Sequence, residues 1–178
     1  MPPRRPPAQL AFVIRTWGGH REGAGREAAP GRRSMPHRHR ATHDPRWPAH
    51  VTLRAVHGLP SLRASTPFGA IRSAISVASR DHFRILHFSV QADHVHLVVE
   101  ADEPTGLQRG IQGLAIRVAR AVNRALRRRG TVWADRYHAR TLATPREVRN
   151  AFVYVLANWR KHVPGGRGLD SRDRKSVV

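Results

Sequence analysis

The chain has 178 residues, with 32 Lys and Arg against 12 Asp and Glu, a formal net charge of +20 and no cysteine. That length admits one domain with tails, and the lack of cysteine excludes disulfides and cysteine-built zinc sites while allowing a reducing interior. No apolar run approaches the roughly 20 residues of a membrane span, and so strong a positive charge points instead to a polyanion as partner. Only Lys161 and Lys175 are lysines; the rest of the basic charge is arginine, whose planar fork suits phosphate oxygens. Leu10 to Ile14 is too short for a signal-peptide core, so the expected location is cytoplasmic.

In chain order, residues 1–47 are rich in Pro, Gly, Arg and His with no sustained period, and read as a disordered basic leader. An inert tail, or a start codon assigned too early, is the plainer alternative. His50 to Val56 alternates, with Val51, Leu53 and Ala55 on one side and His50, Thr52 and Arg54 on the other, which predicts a strand. Thr66-Pro67 opens a helix expected to reach Asp81, carrying Phe68, Ile71, Ile75 and Ala78 at helical spacing. Arg84 to Val90 alternates so as to place Leu86, Phe88 and Val90 together; Gln91-Ala92-Asp93 turns the chain, and His94 to Glu100 alternates again. These two runs predict a hairpin.

Glu103-Pro104 stops that strand, and Leu107, Ile111, Leu114, Val118, Val122 and Ala125 form the stripe of a helix running to about Arg129. Gly130 is the expected left-handed cap. Arg109, Arg120, Arg124 and Arg127 fall opposite the stripe and Arg117 at its border; with Arg54 they are the candidate DNA-backbone contacts, a solvated face being the alternative. One or two short strands follow around Trp133 and Tyr137. Thr144-Pro145-Arg146-Glu147 supplies an N-cap, a proline at the first helical position and a capping-box glutamate for a last helix over 145–161. The predicted class is α+β: an antiparallel sheet of about four strands covered by helices. The expected domain spans 48–162, with 163–178 a frayed tail.

Two features could carry chemistry. His94 and His96 stand two apart in a strand, so both imidazoles share one face and can ligate one divalent metal. In the last helix the apolar stripe is Val148, Phe152, Val155 and Trp159; at about 100° per residue, Tyr154 lies some 140° from its centre. Tyr154 is therefore placed off the core, with Asn158 one turn further along the same face. Each feature has a plain alternative: two solvent-facing histidines, and an exposed tyrosine on a helix face.

These residues and their surroundings resemble the HUH-type tyrosine transposases of small single-stranded-DNA insertion sequences of the 200-like superfamily, especially the branch associated with repetitive extragenic palindromes. The resemblance rests on HVTLRAVHGLPSLR (His50 to Arg63), SVQADHVHLVVEA (Ser89 to Ala101), GLQRGIQGLAIRVARAVNR (Gly106 to Arg124) and VWADRYHARTLATPREVRNAFVYVLANWRKH (Val132 to His162), all in order. GGHREGAGRE (Gly18 to Glu27) looks like the basic leader of relatives. The resemblance implies a ferredoxin-like or RRM-like core with His94 and His96 as metal ligands and Tyr154 as the nucleophile. Asn158 would be the third ligand, where better-known relatives carry the longer glutamine; Glu100 and Asp93 are nearby oxygen donors, Asp93 also serving the turn.

The implied reaction cuts and rejoins single-stranded DNA near hairpins or palindromic repeats through a 5′-phosphotyrosine. A nitrogen and oxygen ligand set admits Mg²⁺ or Mn²⁺. Tyr137, between Arg136 and His138, is the rival nucleophile. The resemblance implies either a homodimer, in which the tyrosine helix of one subunit can complete the site of the other as in the insertion-sequence type, or a monomer as in the palindrome-associated branch; the exposed position expected of Val153 hints at a partner surface. A DNA-hairpin binder without cleavage is the alternative from another class, and a replication initiator or relaxase is disfavoured by the short chain.

Overall fold

The computed structural model describes residues 42–157. β1 (Ala49–Arg54) leads into α1 (Ser65–Ser76), then the hairpin of β2 (Phe83–Val90) and β3 (His94–Ala101). α2 (Pro104–Ala125), β4 (His138–Thr141) and α3 (Pro145–Ala157) complete the order. The strands form one sheet in the order β2-β3-β1-β4, and every neighbouring pair is antiparallel. This is a ferredoxin-like α+β arrangement: two helices cross over between strands, and a third follows the sheet.

Period-two alternation sorts the side chains of each strand. Val51, Leu53, Ile85, Phe88, Leu97 and Val99 are buried on one face, against Ile71 and Ile75 of α1 and Ile111, Leu114 and Val118 of α2. The opposite face is polar except around Val98, where Leu142, Ala151 and Val155 make a small second cluster with Leu86, Val148 and Phe152 at its margin. α3 thus covers the polar face of the sheet. Among the described residues the large cluster has 24 buried residues and the small one four; at about 1.5–3 kcal/mol per large buried apolar side chain, the described part of α3 buries far less apolar surface than α1 and α2.

Polar contacts compensate at the start of α3. The Glu147 N–H donates to Thr144 Oγ1 at 3.2 Å, and the Ala143 N–H donates to Glu147 Oε2 at 3.0 Å, a variant of the expected capping box. Arg140 Nη2 on β4 meets Glu147 Oε1 at 2.6 Å, tying the helix start to the sheet edge. Arg140 holds the Glu147 carboxyl below its ordinary range, helped by Thr144.

Three sequence expectations are corrected. Leu86 does not share a face with Phe88 and Val90: the register shifts between Ile85 and His87, and this bulge sends Leu86 to the α3 side while Ile85 joins Phe88 in the main core. α1 ends at Ser76 rather than Asp81, because Ser79 Oγ accepts the Ile85 N–H at 3.2 Å and Arg80 pairs with Phe83, which uses that segment to border β2. α2 ends at Ala125, short of Arg129. The Arg127 N–H donates to the Arg124 carbonyl and the Arg128 N–H to that of Asn123, a Schellman motif with Arg127 at its left-handed position, φ 49°. Gly130 is also left-handed, φ 103°, but lies in the loop beyond.

Candidate active site

Antiparallel pairing arranges the polar face in rows. Thr52 of β1 lies opposite His96 of β3, and Arg54 opposite His94; Ser89 of β2 flanks His96 on the other side. β4 adds His138 beside Thr52 and Arg140 beside His50. The middle of the sheet therefore carries an imidazole-rich patch that α3 only partly covers.

His94 and His96 have ring centres 4.6 Å apart. Two imidazoles sharing one ion through bonds of about 2.1 Å place their centres about 4.5–5 Å apart, so the pair fits a common cation. Each ring is held by its Nδ1. His94 Nδ1 lies 2.6 Å from Asp93 Oδ1; His96 Nδ1 lies 3.1 Å from Thr52 Oγ1 and 3.2 Å from His50 Nε2. Coordination would then fall to Nε2 of both rings, the arrangement in which outer partners fix the tautomer of a metal-binding histidine. Burial holds His50 below the usual imidazole range, and His138 and Arg140 push it the same way. A neutral His50 can accept the His96 Nδ1–H. His94 holds the Asp93 carboxyl low, with Arg54 contributing.

Among the described residues no group of three or more His, Cys, Asp or Glu side chains is placed to hold a metal. Asn158, the third ligand that the resemblance implies, lies outside the described residues. Glu100 stands toward the other end of β3, bridged to Arg84 at 3.3 Å, and Asp93 Oδ1 lies against His94 Nδ1.

Tyr154 is 40% exposed, as its angle from the apolar stripe implied. Its ring stands edge-on to His96 with centres 5.2 Å apart, and to His50 at 5.9 Å. The tyrosine and both histidines belong to the same chain. Tyr137 is half-buried against the main core, on the side of the sheet away from the histidines. Trp133 is equally occupied, its Nε1–H donating to the Ala115 carbonyl at 2.9 Å. Arg54 joins the histidine face beside Asp93, at 3.6 Å. Arg109, Arg117, Arg120 and Arg124 are exposed on α2, on the opposite side of the sheet, and Arg127 sits in the cap beyond it. The structure thus splits the candidate DNA contacts between two surfaces.

Sequence reading missed His50, Thr52 and the Asp93–His94 pairing. The polar side of β1 was visible, but its meaning depends on β1 lying next to β3 in this register, which no local pattern encodes.

The polar face of this ferredoxin-like sheet thus sets a histidine pair under a helix-borne tyrosine. The chain belongs to the IS200-like transposase family, whose model matches residues 70–158, half of its length. Among solved structures it is similar to a REP-associated tyrosine transposase bound to a REP hairpin, with 19% identity, a TM-score of 0.59, and coverage of 81% of this chain and 93% of the other. No curated protein sequence matches it significantly. Among the described residues no helix is long and apolar enough to cross a membrane.

Proposed function

We propose that this transposase cleaves and rejoins single-stranded DNA through a covalent link to Tyr154, at a divalent-metal site built on His94 and His96. The observation that carries the reading is the Tyr154 ring standing 5.2 Å from that of His96. Tyr137 packs against the main core, which supports Tyr154 over it as the nucleophile. His94 and His96 would bind Mg²⁺ or Mn²⁺, with Asn158 as the proposed third ligand. A bound cation would neutralise a non-bridging phosphate oxygen and orient the phosphorus for in-line attack.

The chain's own residues supply the rest. Asp93, Thr52 and His50 hold the two imidazoles in one tautomer and orientation. Arg54, beside His94 on the exposed face, meets the phosphate backbone. Tyr154 loses its proton, its oxygen bonds to phosphorus, and the bond to the 3′ oxygen breaks; that oxygen takes a proton to become a free 3′-hydroxyl. Attack by a second 3′-hydroxyl reverses the sequence and joins strands without ATP. Tyr154 stands beside the histidines of its own chain, an arrangement compatible with action as a monomer or as a homodimer.

The likeness to a hairpin-bound transposase and the positive charge support hairpin-forming DNA as substrate. The domain would be residues 48–162, between a basic leader and a C-terminal tail. Incubation with a single-stranded hairpin and Mn²⁺ should give a covalent protein–DNA band on a denaturing gel, lost in Tyr154→Phe and His94→Ala. Binding without any such band would leave a DNA-hairpin-binding protein instead.

A further inference from the structure

Ser89 and Gln91 are two polar side chains of β2 that the proposed reaction leaves unused. Both are fully buried, and the strand's period of two puts them on the histidine face, because their neighbours Phe88 and Val90 point into the main core. Ser89 lies directly opposite His96. The Gln91 N–H donates to the His94 carbonyl at 2.8 Å across the turn, which sets Gln91 opposite His94. Side chains opposite each other on antiparallel strands share a face, with Cβ atoms about 4.5–5.5 Å apart. Gln91 Nε2 donates to Ser89 Oγ at 2.7 Å, so the amide leans from the His94 row toward the His96 row. Among the described residues its oxygen, Oε1, has no hydrogen-bond partner. A buried oxygen left without a donor is destabilising, and native interiors seldom keep one without a water or an ion to meet it.

We infer that Gln91 Oε1 is a further ligand of the cation proposed for His94 and His96, in addition to Asn158. The inference rests on that proposed site. Among the described residues no third His, Cys, Asp or Glu is placed to join the pair, and an amide oxygen is a donor type that Mg²⁺ and Mn²⁺ favour. Ser89 fixes the amide by taking its nitrogen, which leaves the oxygen as the atom to coordinate. All three donors then come from one hairpin, so the seat is built into the sheet and does not wait for α3. Neutral imidazoles and an amide also leave the cation's double charge unreduced, and therefore available to a phosphate oxygen.

The test is calorimetric titration of the DNA-free full chain with Mn²⁺, beside thermal unfolding in EDTA and in Mn²⁺. The parent protein should bind Mn²⁺, and His94→Ala should lose that binding. Gln91→Met keeps the length of the side chain and removes the oxygen; affinity should fall about tenfold or more, since even the outer partners of a metal site are worth about 10–100-fold. Gln91→Glu offers a charged oxygen at the same reach and should bind more tightly than the parent, because affinity rises with ligand charge. The rise in Tm on adding Mn²⁺ should shrink in Gln91→Met and grow in Gln91→Glu. Opposite signs are the signature of a ligand, whereas an amide that only props the hairpin would weaken binding in both variants. Parent-like affinity in Gln91→Met overturns the inference, as does a Gln91→Glu that binds no tighter than the parent; if Gln91→Met does not fold, the Gln91→Glu comparison decides. A parent protein without His94-dependent Mn²⁺ binding would sink the metal site as a whole, whereas His94-dependent binding that survives in Gln91→Met sinks the new ligand alone.

Discussion

Two glycines three residues apart in α2 should respond to alanine with opposite signs. A Cβ on Gly110 would fall 2.3 Å from Cγ and Cδ2 of Phe83 and 2.8 Å from Cε2, where carbon atoms ordinarily sit about 3.5–4.0 Å apart. The ring must move by more than an ångström, yet Phe83 is 4% exposed and its backbone is bonded both ways to Arg80. Overpacking of this kind typically costs about 1–3 kcal/mol, and the better helix propensity of alanine returns about 1. Gly110→Ala should therefore destabilise by up to about 2 kcal/mol, each kcal/mol lowering Tm by roughly 4–8 °C for a domain of this size. Gly113→Ala has open space around the new methyl and should stabilise by about 0.5–1 kcal/mol. Thermal and urea unfolding of the two variants beside the parent protein give both numbers. If Gly110→Ala is as stable as Gly113→Ala, α2 does not approach β2 as closely as described, and the packing argument fails.

Four further outcomes follow from the caps and from the site's outer partners. Arg127→Gly should raise stability by about 1 kcal/mol, since it relieves a left-handed non-glycine residue, as chemical unfolding would show. Thr144→Ala removes the N-cap of α3 and should cost about 1 kcal/mol; because α3 carries Tyr154, the cleavage rate should fall with it. Glu147 has its folded pKa depressed below the ordinary 4.5, so its contribution is present above about pH 4.5 and lost as the pH falls through the lower folded value. Hydrogen exchange across α3 should quicken over that acid window in the parent protein and lack the step in Glu147→Gln. Thr52→Val leaves the His96 Nδ1 with fewer partners and should weaken Mn²⁺ binding, measured by calorimetry, by about tenfold, with the fold intact.

Much of this architecture was legible because most elements announce themselves locally. The alternation of His94 to Glu100 puts the two histidines on one face in any antiparallel sheet, and the stripe of α3 puts Tyr154 off the core wherever the helix docks. What stayed hidden is what depends on other segments. The bulge at Ile85 to His87 interrupts an alternation that reads continuously in sequence, and so reassigns Leu86. Gly130 looked like a helix cap because glycine is the cheapest left-handed residue, yet Arg127 takes that conformation at the end of α2. The partnership of His50 and Thr52 with His96 exists only because β1 and β3 are neighbours in one register. The arginines of α2 were identified as a stripe, but only the packing of α2 beneath the sheet shows that they face away from the histidines.

The central claim is that Tyr154 carries the DNA, and peptide mapping of the covalent product tests it most directly. After reaction with a single-stranded hairpin and Mn²⁺, nuclease trimming and proteolysis, mass spectrometry should find the nucleotide remnant on the peptide containing Tyr154. A remnant on the Tyr137 peptide, or on neither, would contradict the account.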